Sequence, residues 1–146
     1  MLPFETLRKD LVRLKQGGIN AIVQELVIEN SVFVKNLNRE KQLYEKGIDS
    51  LGNKLRDYTS FTKSIKRAKG QPYDRTTLKD TGDFYKKFYI QLDNREFKLD
   101  SADVKRDELE DKYGTNGSVF GLTPENKNRL SDFLKPKLIQ KIKRLI

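Results

Sequence analysis

At 146 residues the chain has the size of one domain, with enough surface to bury a single core. It contains neither Cys nor His, which excludes disulfides, thiolate nucleophiles, the usual zinc ligands, imidazole bases and serine-histidine triads together. A net charge of +9 invites a polyanion, but with 36% hydrophobic and 35% charged residues the composition equally suits a thin fold completed by partners.

In chain order, Phe4, Leu7, Leu11 and Leu14 recur at helical spacing behind Pro3 and before Gly17-Gly18, which predicts a helix over about 3–16. No apolar run near the start has the length of a signal peptide or a membrane span, so a cytoplasmic, membrane-free protein is expected. Ile19, Ile22, Val23, Leu26, Val27, Phe33, Val34 and Leu37 then hold a period near 3.6 and predict a long helix over about 19–40. Its β-branched residues leave a long strand pair as the rival reading. Gly47, Asp49-Ser50 and Gly52-Asn53 make 42–58 a loop or loose hairpin.

Ser60 to Lys69 forms a short basic helix closed by Gly70-Gln71-Pro72, and 70–77 should be an exposed loop. Residues 88–99 read as a β-hairpin around Asp93-Asn94-Arg95, and the acidic stretch 101–113 as a helix or a charged excursion. Thr123 caps a C-terminal helix over about 124–146 with Pro124 in its first turn. Leu130, Phe133, Leu134, Leu138, Ile142 and Leu145 are its apolar stripe, which Pro136 should bend or divide. The fold class is therefore α+β in one domain, 1–146. Long N-terminal helices and a C-terminal helix pack on a small antiparallel sheet.

Charge falls in blocks: +5 over 61–90 (eight basic, three acidic), −4 over 91–125 (five basic, nine acidic) and +6 over 126–146 (seven basic, one acidic). Lys63, Lys66, Arg67 and Lys69, with Tyr73, Arg75 and Lys79 close behind, form a patch able to hold phosphates and stack bases. The same cations would also meet the acidic block of a neighbouring copy. Lys137, Lys141 and Arg144 form the basic face of the last helix.

Two catalytic readings compete with plain structural ones. Asp80-Thr81-Gly82 matches the aspartic-protease tripeptide, yet that chemistry needs an apolar strand before it and a second carboxylate. Here Lys79 precedes it, and a helix start with Asp80 or Thr81 as cap accounts for it as well. Asp107, Glu108, Glu110 and Asp111 would suit a metal nuclease, or simply a solvated face.

The order of parts resembles the neck and tail-completion (head-tail joining) proteins of tailed bacteriophages. It rests on a long N-terminal helix, then Asp80-Thr81-Gly82 with Phe84 and Phe88 leading into a hairpin. An acidic segment ending Lys112-Tyr113-Gly114 and a final helix containing Pro136 complete it. The stretch 38–92 is also similar to uncharacterised prophage proteins of gut bacteria. The chain departs from the family at Lys87, where serine is usual, and at Lys112-Tyr113-Gly114, where the family ends Glu-x-Gly.

The resemblance implies a non-enzymatic α+β virion assembly protein without cofactor, metal or small-molecule substrate. Its partners would be neighbouring copies in a ring and other phage neck or tail proteins, with DNA in the channel as a further contact. It would reside in the host cytoplasm during assembly and afterwards in the virion. A small basic nucleic-acid-binding protein is the alternative.

Overall fold

The computed structural model describes residues 18–114 and 117–145. The helix expected over 3–16 lies outside the described residues.

From Ile19 to Tyr44 the backbone is helical in three successive pieces: α1 (Ile19–Glu29), α2 (Ser31–Asn36) and a π-helical segment (Leu37–Tyr44). The strand-pair alternative is thus excluded, and the helical path extends past residue 40. The break falls at Asn30, whose side-chain Nδ2 and backbone amide both donate to the Leu26 carbonyl, at 2.8 and 3.0 Å. A short amide side chain competing with the helix for its own carbonyls is a physical reason for that interruption. In the π segment the register widens to i→i+5, as in the 2.9 Å bond from the Glu45 amide to the Glu40 carbonyl.

A tight turn follows, closed by a single antiparallel bridge between Ile48 and Lys54. Next comes α3 (Ser60–Ala68), where Thr59 caps the helix by accepting the Thr62 amide at 3.2 Å. A short α4 (Asp83–Lys86) leads into β1 (Phe88–Asp93) and β2 (Glu96–Ser101), which pair antiparallel from Phe88 opposite Ser101 to Asp93 opposite Glu96. Asn94 and Arg95 make the turn, and Gln24 of α1 fastens it by donating to the carbonyls of Asp93, Asn94 and Glu96. The acidic stretch settles as α5 (Arg106–Tyr113), and α6 (Pro124–Leu145) closes the described chain. The fold is α+β: six α-helices and one two-stranded antiparallel sheet among the described residues.

Two apolar cores hold these elements. In one, Ile22, Leu26 and Val27 of α1 meet Leu99 of β2 and Leu130 and Leu134 of α6. The Phe33 and Phe133 rings stack beside them, 3.9 Å apart. The other is largely aromatic: Tyr58 packs edge-on against Tyr113, Phe84, Tyr85, Phe88 and Phe120 form a second group of rings, and Leu43, Leu55, Leu78 and Val119 complete the cluster. Burial on this scale is the main stabilising term, roughly 1.5–3 kcal/mol for each large apolar side chain.

The cores are joined by a strip of buried amides. Asn38 and Gln42 of the π segment are both fully buried and take the place of a neighbouring strand for residues 119–123. Asn38 donates to the Val119 carbonyl at 3.0 Å and accepts the Gly121 amide at 2.8 Å. Gln42 donates to the Gly121 carbonyl at 2.8 Å and accepts both the Thr123 amide and the Asn126 side chain, at 2.9 and 2.8 Å.

Two expectations need correction. Residues 70–77 are not exposed throughout, because Thr76 and Thr77 are buried: the Thr76 hydroxyl donates to the Arg56 carbonyl, and the Thr77 amide donates to the Tyr58 hydroxyl. Of the bend or division expected at Pro136, division does not occur, since α6 runs unbroken from Pro124 to Leu145. Both Pro136 and Asp132, whose carbonyl loses its helical partner, face water, while Leu134 and Leu138 on either side pack into the core. That packing offsets a cost of about 3 kcal/mol for a proline inside a helix.

Candidate functional site

The element that positions the site is α3. Thr62, Ile65, Lys66 and Lys69 follow at spacings of three and four, so they share one face of the helix, and that face looks onto a cleft of about 390 Å³. The opposite wall is the turn holding Lys79, Asp80, Thr81 and Gly82, and the mouth is bounded by Lys87, Val104 and Lys105. Five lysines and three aspartates thus line a cavity whose floor is apolar, with Leu78, Phe84 and Leu109.

The polarity of α3 is inverted. Lys66 is 7% exposed, whereas Phe61 is 75% and Ile65 40% exposed, and Val104 across the cleft is 91% exposed. Lysine is rarely buried without a partner, and large exposed apolar side chains in a cluster are informative where scattered ones are not. The Lys66 ammonium donates to the Lys79 carbonyl at 3.0 Å and lies 4.8 Å from the centre of the Tyr58 ring. Tyr58 is fixed in turn because its hydroxyl accepts the amides of Thr77 and Leu78, at 3.1 and 3.0 Å. Those two bonds hold Leu78 in the left-handed region at φ 59°, a conformation that costs a β-carbon residue about 1–2 kcal/mol.

The Tyr85 hydroxyl donates to the Thr77 carbonyl on the same turn. Burial, above all, and then the charge of Glu40 push its pKa far up, so it stays a protonated donor.

The tripeptide Asp80-Thr81-Gly82 is placed at the rim. The Asp80 carboxylate accepts the Lys69 ammonium at 3.1 Å and the Gln71 amide at 3.4 Å, and the Lys69 bond, ahead of Gln71, holds its pKa below the usual aspartate value. Gly82, at φ 91°, occupies the N-cap position of α4, while the Thr81 hydroxyl accepts the Asp83 amide at 3.3 Å. An exposed, ion-paired aspartate at the start of a helix is the structural alternative, with the cap geometry shifted onto Gly82 and Thr81.

The cations named from sequence divide. Lys66 and Lys69 line the cleft, and Lys79 lines it too but carries its ammonium over the Tyr44 and Tyr85 rings, 4.9 and 5.5 Å from their centres. Lys63 turns to Asp57 at 3.4 Å, Arg67 lies over the Tyr73 ring at 4.6 Å, and Arg75 donates to the Tyr44 carbonyl at 2.7 Å. Lys137, Lys141 and Arg144 lie on α6, where Lys141 bridges Glu25 and Glu29 of α1 at 3.1 and 2.8 Å. Glu29, then Glu25, raise the pKa of Lys141, and Lys141 lowers that of Glu29.

Part of the acidic block is consumed inside the chain, while Asp107, Glu108 and Asp111 are exposed. Asp100 pairs with Arg106 at 2.8 Å, Asp103 lies 3.6 Å from Lys87, and Glu110 accepts the Val119 amide at 3.0 Å. Among the described residues no three carboxylates converge as a metal site would require. Nor is any helix among them long and apolar enough to cross a membrane.

Sequence reasoning missed Tyr58, Lys87 and Val104. For Val104 a signal existed, since it is the one branched apolar residue in the charged stretch 100–108. No family model, curated protein or solved structure matches the chain.

Proposed function

We propose that the chain is a non-enzymatic assembly protein of the neck or tail-completion type, joining head to tail in a tailed bacteriophage. The reading is carried by the inverted polarity of α3, which buries Lys66 and leaves Phe61 and Ile65 in water. A helix with its apolar residues outward, opposite a 91% exposed valine, has the composition of an interface core awaiting its partner. The phage assignment itself rests on the resemblance carried by Asp80-Thr81-Gly82, Phe84 and Phe88 ahead of the hairpin, and by the Pro136 helix. On this reading the lysines of the cleft provide orientation and partner choice, and no bond is made or broken.

One observation favours the nucleic-acid alternative. Phe61 is exposed close to Lys63, Arg67 and Lys69, and Tyr73 keeps one ring face beyond the one that Arg67 covers, so aromatic surface stands next to cations able to meet phosphates.

The deciding experiment is light scattering of the purified chain at low and high salt, with and without duplex and single-stranded DNA. A closed oligomer, or a monomer indifferent to DNA, is expected for the assembly protein. Binding to DNA that falls steeply with salt would replace that reading by the alternative.

A further inference from the structure

We infer that the cleft between α3 and the 78–82 turn receives an acidic peptide segment of another protein, with a carboxylate directed at Lys66 beside an aliphatic or aromatic anchor. This deepens the assembly reading and rests on it, because it names the chemistry of the partner at the same face.

The argument begins with unbalanced charge. Lys69 has Asp80 and Lys87 has Asp103 as counter-ions. The only polar partner of the Lys66 ammonium among the described residues is the Lys79 carbonyl. An ammonium carries three donors, so at least one is left over, in a position that is 7% exposed. A cation so far withdrawn from water is stabilised most by a carboxylate that arrives with its own hydrogen-bonding capacity, and covering the cleft strengthens that attraction.

The walls decide which anion. A phosphate backbone offers nothing to fill the apolar floor of Leu78, Phe84 and Leu109 or to cover Ile65 and Val104. A peptide alternating acidic and apolar side chains satisfies both. A second copy meeting this face symmetrically would set five lysines and three aspartates against the same set, with no net complement, and Asp100, Asp103 and Glu110 are engaged within their own chain. The charge balance therefore favours a different protein over symmetric self-pairing, and head-to-tail docking of another copy's exposed Asp107, Glu108 and Asp111 is the contrary outcome, read as self-association in light scattering.

The test is selection of a random-peptide library on the immobilised full chain, followed by fluorescence anisotropy of the enriched peptides. Enrichment of Asp or Glu next to Leu, Ile or Phe is expected. Replacing the peptide's acid by its amide should weaken binding by about tenfold or more, the equivalent of one charge-assisted contact. Lys66→Met keeps the apolar stem and should produce the same loss. Val104→Asp alters only an exposed side chain, so it leaves folding intact and should also abolish binding.

Enrichment of basic peptides, no enrichment, or equal binding by the native chain and both variants overturns the inference. If light scattering then still gives a closed oligomer or a DNA-indifferent monomer, the assembly reading survives without it. Peptide selection that fails together with salt-sensitive DNA binding overturns both.

Discussion

The side-chain oxygen of Gln42 lies 2.9 Å from the amide of Thr123, so a residue on the π segment fixes the point at which α6 begins. The same oxygen accepts the Asn126 side chain, and the Gln42 amide nitrogen holds the Gly121 carbonyl. Replacing Gln42 by Leu keeps the volume but leaves the Gly121 carbonyl and the Thr123 amide without partners, while the Asn126 side chain keeps only the Leu37 carbonyl at 3.3 Å. Each orphaned group costs about 1–3 kcal/mol, so the variant should lose roughly 2 kcal/mol or more. Urea denaturation followed by circular dichroism measures this as a lowered midpoint with unchanged slope.

The Tyr58 hydroxyl serves two amides at once. Tyr58→Phe should destabilise the protein by about 1–3 kcal/mol. Hydrogen exchange at the Thr77 and Leu78 amides should accelerate more than elsewhere, since the strained turn loses its anchor locally. Uniform acceleration across all amides would mean that Tyr58 acts only through global stability.

Gly47 and Gly52 separate conformation from crowding. Both have positive φ, at 62° and 87°, and an alanine there carries the left-handed penalty of about 1–2 kcal/mol. At Gly52 an added Cβ meets nothing within 4 Å, whereas at Gly47 it would stand 2.9 Å from the Thr76 carbonyl oxygen. Gly47→Ala should therefore be clearly less stable than Gly52→Ala in parallel thermal melts. Equal melting temperatures would show that the backbone at Thr76 yields freely.

Asp80 gives a pH signature. Its folded pKa is depressed by the bond from Lys69 and then by Gln71, so its contribution to stability is present above the unfolded aspartate value of about 3.9 and is lost as pH falls through the lower folded value. Carboxyl-carbon NMR should show the Asp80 midpoint below 3.9, moving upward in Lys69→Met and in high salt. Asp80→Asn should leave the fold intact and flatten that part of the acid limb.

The periodic elements were legible because one apolar face decides them: Ile22, Leu26 and Val27, and Leu130 and Leu134, are core residues as their spacing predicts. The π widening after Leu37 was not, because it answers to contacts made by Asn38 and Gln42 with residues some eighty positions away. The basic patch could be read as a set of cations. Its division could not, since whether Lys66 faces inward while Lys63 and Arg67 face outward depends on where Tyr58 and the Thr77-Leu78 turn come to rest. Thr76 and Thr77 looked like loop residues because hydroxyl side chains carry no apolar signal, although their hydrogen bonds bury them as firmly as leucine.

The amide strip has a consequence for the order of events as the chain is made. Its partners lie 81 and 83 positions apart for Asn38, and 79, 81 and 84 apart for Gln42. Until residues 119–126 emerge from the ribosome, the carboxamides of Asn38 and Gln42 have only water as partner, and α1 lacks Leu130 and Leu134 to cover its apolar face. Such distant closure slows folding relative to a local helical bundle. The nascent chain therefore carries the apolar face of α1 uncovered until the residues of α6 are made, and exposed apolar surface of that kind is prone to aggregate.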